Sequence, residues 1–255
     1  MRLHRYGSDL TDAQWHAIAP RFAGRRRAKH HPRHVLDACL YLAKTGCQWR
    51  YLPDSFPPWQ TVYYHLRRWA ERGLLTGLVH LLRRLVRCKA GRDPSPSRAV
   101  IDSQSVKTSH VGGPRSFDGG KKVHGRKRHL LTDTLGLLLS VVVHPAGDHD
   151  SQWSVRLLDR VQGHVPRLEA VLADQGYAAV PTMLIWRVFG WIWEVVVRDP
   201  AQKGFVVVKR RWVVERTFSW FGGYRRLSKD YEALPEVSEA MVQLAAIRLM
   251  SRRLG

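Results

Sequence analysis

Residues 127–145, KRHLLTDTLGLLLSVVVHP, have the pattern of two β-strands joined by a tight turn. The runs on either side of Leu135-Gly136 are rich in Leu, Val and Thr, and a glycine-containing turn between such runs predicts an antiparallel hairpin. The run RAVIDSQSV at 98–106 precedes the hairpin closely. Three such runs in close succession predict three hairpin-joined antiparallel strands.

Further strands and helices alternate after this group. The runs EAVLADQG (169–176) and WIWEVVVRD (191–199) predict a fourth and a fifth strand, while 151–161, 181–189 and 208–221 have helical patterns. Three antiparallel strands followed by alternating helices and strands predict the α/β class, with a mixed α+β arrangement of the strands and helices. We therefore expect a ribonuclease-H-like mixed five-stranded sheet with flanking helices.

The part of the chain before residue 98 has helical patterns instead. Thr11 and Gln14 form a capping-box pattern, and 33–45 is an amphipathic segment followed by Gly46. The segment GRDPSPSR, from residue 91, is rich in Gly, Pro and Ser and predicts a linker. The predicted divisions are a small all-helical domain at 1–90, a linker at 91–97 and the sheet domain at 98–255.

Charge indicates the class of partner. The net charge is +21 over 255 residues, which predicts a polyanionic partner. DNA or RNA is favoured, with an anionic membrane surface or a partner protein as alternatives. No apolar run reaches about 18 residues, and the N-terminus lacks an apolar signal region, so we expect a cytoplasmic protein. Cys39, Cys47 and Cys88 form no CxxC pair and are interpreted as reduced thiols.

Three carboxylates stand out from this basic background. Asp102 lies in the first strand, Asp174 follows the fourth, and Glu215 is the only acid between Asp199 and Asp230. The first and fourth strands are neighbours in the predicted topology, so their aspartates can face each other, with Glu215 carried across them by the last predicted helix. Carboxylates at such a site can hold two Mg²⁺ ions roughly 3.5–4 Å apart for in-line displacement at a phosphodiester.

Each acid also has a structural interpretation. Asp102 can accept a hydrogen bond from the backbone of Ser103 or Ser105, and Asp174 can belong to a turn. Glu215 can pair with Arg211, four residues before it on the same helix.

Four blocks of sequence resemble the IS5 group of insertion-sequence transposases, within the IS4-type DDE transposases. They are AVIDSQSVKTS (99–109), GGKKVHGRKRHLLTDTLGLLLSVVVHPAGDHDSQ (119–152), VLADQGYAA (171–179) and VVERTFSWFGGYRRLSKDYE (213–232). The resemblance implies that Asp102, Asp174 and Glu215 are the catalytic and metal-binding residues, with two Mg²⁺ ions, or Mn²⁺, as cofactor.

The resemblance extends to the signature around the catalytic glutamate. Arg211 matches the arginine of that signature. Gly222 stands where the family has a lysine, and Lys229 or Arg225 are the candidates to replace it.

Basic residues near these acids are predicted to contact the DNA backbone, although a charge run is also typical of a solvated face. One group follows the first strand and the other surrounds Glu215. The two groups are Lys107, Lys121, Lys122, Arg126, Lys127 and Arg128, and then Arg210, Arg211, Arg216, Arg225, Arg226 and Lys229.

Other segments have weaker signals. His144, Asp148, His149 and Asp150 resemble a metal cluster, but we interpret them as a strand end followed by a helix capped by Asp150 or Ser151. Asp133 is interpreted as structural. The aromatic residues Trp212, Phe218 and Trp220 have helical spacing typical of a core, with stacking on a flipped base as the alternative. The segment with Gln60, Thr61, Tyr64, Arg67 and Arg68 is a candidate for recognising element ends as part of a helix-turn-helix.

The predicted function is Mg²⁺-dependent cleavage at the ends of an insertion sequence and strand transfer into target DNA, by a protein that dimerises on double-stranded DNA and needs no membrane. Two alternatives share parts of the evidence. One is a non-catalytic DNA-binding regulator, and the other is a ribonuclease-H-like nuclease without strand transfer.

Overall fold

The computed structural model describes residues 6–22, 29–110, 112–196 and 212–255. Six strands make one sheet: β1 (Arg98–Lys107), β2 (Ser116–Asp118), β3 (Val123–Asp133), β4 (Leu138–Pro145), β5 (Ala170–Ala173) and β6 (Ile192–Val195). The helices before the sheet are α1 (Asp12–Ile18), α2 (Pro32–Thr45), α3 (Trp59–Glu71) and α4 (Leu74–Lys89). The later helices are α5 (Asp150–Asp159), α6 (Thr182–Phe189), α7 (Trp212–Gly222) and α8 (Pro235–Leu254).

The sheet has the predicted ribonuclease-H-like arrangement. β1 is central, antiparallel to β3 on one side and parallel to β5 on the other, and β6 lies beyond β5. β4 pairs with β3 as the predicted hairpin, whose turn contains Gly136 at a φ of 79°. The prediction of five strands omitted β2, a three-residue strand that pairs with the first residues of β3. Its sequence, Ser-Phe-Asp, is too short and too polar to produce a strand pattern.

The two faces of the sheet belong to different hydrophobic clusters. Val100 packs in one cluster with Val214 and Phe221 of α7. Its neighbours Ala99 and Ile101 pack in the other, which contains residues of α5 and α6. Side chains alternate between faces along a strand, so even-numbered residues of β1 face α7 and odd-numbered residues face α5.

The helices before the sheet share the cluster that lies on the α7 face. Apolar residues of α1 to α4 are continuous with those of α8, which packs against α2, α3, α4 and β4. The predicted linker at 91–97 therefore marks a change of secondary structure within one continuous core. The capping box of Thr11 and Gln14 is present, and Gly46 ends α2 at a φ of 71°.

The three cysteines are free thiols, as predicted, with Cys39 buried in α2 and Cys88 exposed. Burial raises the pKa of the Cys39 thiol far above its ordinary value. Among the described residues, no helix combines the length and the apolar character needed to cross a bilayer.

Candidate active site

Asp102 lies in β1, and Asp174 is the first residue after β5, the neighbouring parallel strand. Val100 pairs with Leu172 in the β1–β5 register. Asp102 and Asp174 each lie two residues further along, on the same face as that pair. Both Val100 and Leu172 belong to the cluster that contains α7 residues. The fold thus brings two acids that are distant in sequence to one end of the sheet, on the side covered by α7.

Main-chain amides orient both carboxylates. The Ser103 amide donates to Asp102 Oδ1 at 2.7 Å, and the Gly176 amide donates to Asp174 Oδ1 at 3.0 Å. The structural interpretations of the two aspartates predicted such bonds, with Asp102 accepting from a serine backbone amide and Asp174 forming part of a turn. They fix one oxygen of each side chain without placing the carboxylates elsewhere in the molecule, so the structural and the catalytic interpretations are compatible.

Glu215 lies in the first turn of α7, which packs against β1 and β3. The Thr217 hydroxyl donates to Gly136 O at 2.9 Å and Arg216 Nη2 donates to Leu135 O at 3.2 Å, so the helix is anchored on the β3–β4 turn. Glu215 is therefore on the helix that covers the Asp102 face. In the described parts of the chain, however, no three His, Cys, Asp or Glu side chains lie close enough together to hold a metal ion.

A polar network lies on the other side of β1, next to Asp102. Asp150, the first residue of α5, accepts from Ser103 Oγ at 2.9 Å through Oδ2 and from Lys127 Nζ at 2.6 Å through Oδ1. The Tyr177 hydroxyl is 2.6 Å from His129 Nδ1. A Cβ placed on Gly176 would be 3.1 Å from Asp174 Oδ1 and 3.5 Å from Asp150 Oδ2, so the network adjoins the second aspartate too.

The pKa of Tyr177 is affected by burial and by the charges of all three nearby aspartates. The pKa of Tyr177 is raised well above its ordinary value, first by burial and then by the charges of Asp150, Asp102 and Asp174. Burial alone would raise the pKa of Asp150, but its interactions with Lys127, His129 and Ser103 outweigh burial and the pKa is lowered. One end of the sheet therefore concentrates three aspartates around a buried phenol.

The position of Asp150 corrects one prediction. His149, not Asp150 or Ser151, caps α5, because its Nδ1 accepts from the Ser151 amide. Asp150 instead turns inward to Lys127. The sequence contained a signal for this inward turn, because Lys127 and His129 lie on the same face of β3 as the apolar Leu131. A cation on a buried face requires an acidic partner.

His144 and Asp133 also have structural surroundings. His144 stacks on Trp153 with ring centroids 4.4 Å apart, and Asp148 Oδ2 accepts from Trp153 Nε1. Asp133 is fully buried, pairs with Arg87 Nη1 at 2.6 Å and accepts from the amides of Leu135 and Leu137. Asp133 is thus structural, as predicted.

The residues predicted to contact DNA divide by exposure. Those with exposed side chains are Lys107, Lys121, Lys122, Arg225 and Lys229. Lys121 Nζ also donates to Ser103 O at 3.0 Å, which places this lysine beside the site. Arg210 and Arg211 lie outside the described residues, as does any pairing of Glu215 with Arg211.

Four of the predicted DNA contacts are buried, which corrects their assignment: Arg126, Lys127, Arg128 and Arg226. Arg126 donates to Pro114 O, Glu232 O and Ala233 O and lies 3.3 Å from Asp230 Oδ2. Arg128 donates to Leu227 O and Lys229 O, while Arg226 Nε bonds Glu232 Oε1 at 2.7 Å. The three arginines hold the segment after α7 in place, whereas Lys127 Nζ bonds Asp150 Oδ1 and Asp148 O at the start of α5. None of the four is available to a duplex.

Arg216 is held between two aromatic rings of α7. Its guanidinium carbon is 4.5 Å from the Trp212 ring centroid and 4.7 Å from that of Trp220. Trp212 is exposed, while Phe218 is partly buried against the core. Gly222, at the family's lysine position, is exposed, and a Cβ built there would meet no described atom within 4 Å.

Two family models match the chain. The model for a putative transposase of the IS4/5 family matches residues 10–79, and the transposase DDE domain matches residues 93–250. The chain belongs to the IS4/5-type DDE transposases. It is therefore a DNA transposase, an enzyme whose partner is DNA, and the resemblance found in the sequence blocks is confirmed.

Curated relatives agree with this family. This transposase is 30% identical over 157 residues to a putative transposase for insertion sequence element IS402 from Burkholderia cepacia, covering 59% of this chain and 72% of the relative. It is 31% identical over 117 residues to the uncharacterized protein y4sN of Sinorhizobium fredii, covering 44% of this chain and 87% of the relative.

A solved structure is also similar. The chain in a crystal structure of the Mos1 mariner paired end complex with Mn aligns with 96% of this transposase and 86% of its own length, at 13% identity and a TM-score of 0.32. A similarity of that size supports no argument about the site.

Proposed function

We propose that this transposase cuts phosphodiesters at the ends of its own element and joins the 3′ ends to target DNA, using Mg²⁺ or Mn²⁺ bound by Asp102, Asp174 and Glu215. The observation that supports the proposal is the register of β1 and β5, because Val100 pairs with Leu172 and Asp102 and Asp174 each follow that pair by two residues, on the side that α7 covers.

The donor set fits a hard divalent cation. Carboxylate oxygens are the ligands that Mg²⁺ prefers, and a site built from a few of them leaves positions for water and for substrate phosphate. Glu215 is the third donor on the helix above, although the described residues do not form a closed group of three. Two bound ions would stabilise the attacking and the leaving oxygen of an in-line displacement.

The protein's own residues orient the substrate and the ligands. Main-chain amides hold Asp102 and Asp174, and the exposed cations Lys107, Lys121 and Lys122 follow β1 at the same end of the sheet. Such cations attract and position a phosphate backbone without reading its sequence. Arg225 and Lys229 extend this basic surface beyond α7.

End recognition is assigned to α3. Gln60, Tyr64 and Arg67 lie on its exposed side, opposite the buried Val62, Leu66 and Trp69. Changing Gln60 and Arg67 to alanine should reduce the preference for cognate ends over unrelated duplexes. Unaltered preference would contradict this assignment. Because two ends must be joined in one event, we also propose a homodimer in the DNA complex.

The catalytic assignment is tested with Asp102→Asn, Asp174→Asn and Glu215→Gln, and Asp159→Asn on the exposed side of α5 serves as the control. Each of the three should abolish metal-dependent cleavage while end binding, measured by gel shift, is retained. Cleavage at the wild-type rate in any of them would remove that residue from the site. Strand joining of a precut end separates a transposase from a ribonuclease-H-like nuclease, which would cleave without joining.

A further inference from the structure

A cavity of about 440 Å³ lies far from the three acids, between α4, the segment 93–95 and the loop 163–167. The Glu169 amide donates to Ser97 O at 2.9 Å beside it, so the cavity adjoins the ends of β1 and β5 opposite to those that carry Asp102 and Asp174. Its volume falls within the range typical of ligand sites, roughly 300–1,000 Å³.

Arg83 forms part of the cavity wall and is 1% exposed. Its Nη2 donates to His164 O at 3.2 Å, but Nε and Nη1 have no hydrogen-bond partner among the described residues. His80 is 5% exposed, stacks on His164 with centroids 4.1 Å apart, and also has neither ring nitrogen bonded in the described structure. Two residues of the cavity wall therefore carry buried polar atoms that have no hydrogen-bond partner among the described residues.

Leaving such groups unbonded is costly, because a buried cation that lacks partners loses its hydration without compensation. Burial lowers the pKa of Arg83 to about 10, and the charges of Arg87 and Arg84 act in the same direction. Asp133 opposes them but is already bonded to Arg87. An anion in the cavity would supply the missing acceptors and the missing charge.

The remaining charges of the lining favour an anion. Among the described residues the lining has four arginines, Arg21, Arg83, Arg84 and Arg167, against one carboxylate, Asp93. Asp93 is itself engaged, since Oδ2 pairs with Arg167 Nη1 at 2.7 Å and Oδ1 accepts from the Ser95 amide. Guanidinium groups match the oxygens of phosphate in geometry and remain charged at all relevant pH values.

We propose that this cavity is a phosphate-binding site in which Arg83 receives a phosphate group and Arg84 and Arg167 form its cationic rim. The phosphate group is either free, as inorganic phosphate or a mononucleotide, or part of a DNA strand that passes over this side of the protein. The site is separate from the one proposed for catalysis, and its existence does not depend on that chemistry.

The test compares thermal unfolding of the full chain in inorganic phosphate and in chloride at equal ionic strength. Phosphate should raise the midpoint of the wild type and of the control Arg187→Ala, an exposed arginine of α6. Arg83→Met should weaken the apparent phosphate affinity at least about tenfold, which corresponds to ~1.4 kcal/mol. Arg84→Ala should weaken the apparent phosphate affinity severalfold. If Arg83→Met does not fold, the result for Arg84→Ala tests the proposal alone.

The two sources of phosphate are separated with duplex DNA. If a DNA strand occupies the cavity, Arg83→Met lowers the slope of log affinity against log salt by about one contact, or ~0.9. If the ligand is free phosphate, Arg83→Met loses phosphate stabilisation while its DNA slope equals that of the wild type. Equal wild-type midpoints in phosphate and chloride, or wild-type phosphate affinity in both Arg83→Met and Arg84→Ala, would overturn the proposal.

Discussion

Ser103 Oγ donates to Asp150 Oδ2 at 2.9 Å and so joins the start of α5 to the residue that follows Asp102. The Ser103 amide in turn donates to Asp102 Oδ1. A contact on one face of the sheet is thereby connected through a single residue to a carboxylate on the other face.

Replacing Asp150 by asparagine should therefore impair catalysis without changing any of the three proposed metal ligands. Asparagine keeps an acceptor for Ser103 but removes the closer of the two ionic partners of Lys127, leaving Asp118 Oδ2 at 3.8 Å. We expect a drop in the cleavage rate of about tenfold to a hundredfold, as for a small displacement of a reacting group, and a stability loss of about 1–3 kcal/mol. Asp159→Asn on the same helix is the matched control, and a wild-type rate for Asp150→Asn would show that Asp102 needs no such support.

The same variant has a defined pH dependence. The pKa of Asp150 is lowered in the folded state, so its stabilising contribution is present above the unfolded value of about 4 and is lost as pH falls through the folded pKa. The difference in unfolding free energy between wild type and Asp150→Asn, measured with urea, should therefore shrink below pH ~4. A difference that grew on acidification would contradict this linkage.

Arg126 should matter for stability rather than for DNA contact. The pair of Arg126 and Asp230 is fully buried, so Arg126→Met leaves an uncompensated carboxylate. We expect a loss of about 3–5 kcal/mol in urea unfolding. Adding Asp230→Asn should recover part of that loss, because the buried negative charge is removed. A strictly additive double variant would show that the two side chains are not coupled.

His80 should make the free energy of unfolding depend on pH in a range above that in which carboxylates titrate. Burial, and then the charges of Arg83 and His164, together lower its pKa to about 3. Below the unfolded value of about 6.5, the unfolded chain binds a proton that the folded chain does not, so stability falls as pH falls, by up to ~1.4 kcal/mol per pH unit. His80→Leu should flatten this slope between pH 6 and 4, whereas the exposed His124→Leu should flatten it much less. Parallel curves for wild type and His80→Leu would contradict the prediction.

Exposed lysines near the site should set the salt dependence of DNA binding. Lys122→Ala and Lys229→Ala should each lower the slope of log affinity against log salt by about 0.9 if each neutralises one phosphate. Arg187→Ala on α6 should leave it unchanged. Slopes measured by fluorescence anisotropy with one duplex over a range of salt concentrations distinguish these cases, and a wild-type slope for both lysine variants would place the DNA elsewhere.

Gly222 offers a gain-of-function test. Because its Cβ position is open, Gly222→Lys should fold normally and supply the cation that the family resemblance implies at this place. We expect tighter binding to duplex DNA and an increase of about 0.9 in the salt slope, with an unchanged unfolding midpoint. Gly222→Gln controls for side-chain length. Equal affinities for the lysine and glutamine variants would indicate that no phosphate passes this point.

Much of the fold could be predicted because local patterns and topology agree. The β-rich runs of β1, β3 and β4, the turn at Gly136 and the strand–helix alternation that follows define the sheet. The same topology makes Asp102 and Asp174 neighbours. β2 could not be predicted, since three residues paired to an edge have no periodicity of their own.

The buried cations could not be recognised from composition. Arg126 and Arg128 follow a glycine- and lysine-rich segment, where charge normally indicates solvent. Their partners are main-chain carbonyls and Asp230 about a hundred residues later, and only the folded chain brings these together. Asp150 was misassigned for a related reason, because a helix start gives an acid an obvious local explanation that hides a distant partner.

The continuous core around α8 limits how members of this family can recombine. The last helix of the chain packs against all four helices that precede the sheet, so the proposed end-binding region and the sheet share one core. Grafting the first ninety residues of one such transposase onto another would mismatch the surface of α8 as well as exchange DNA specificity. New specificities are therefore expected to arise by substitutions on the outer side of α3 rather than by exchange of whole modules.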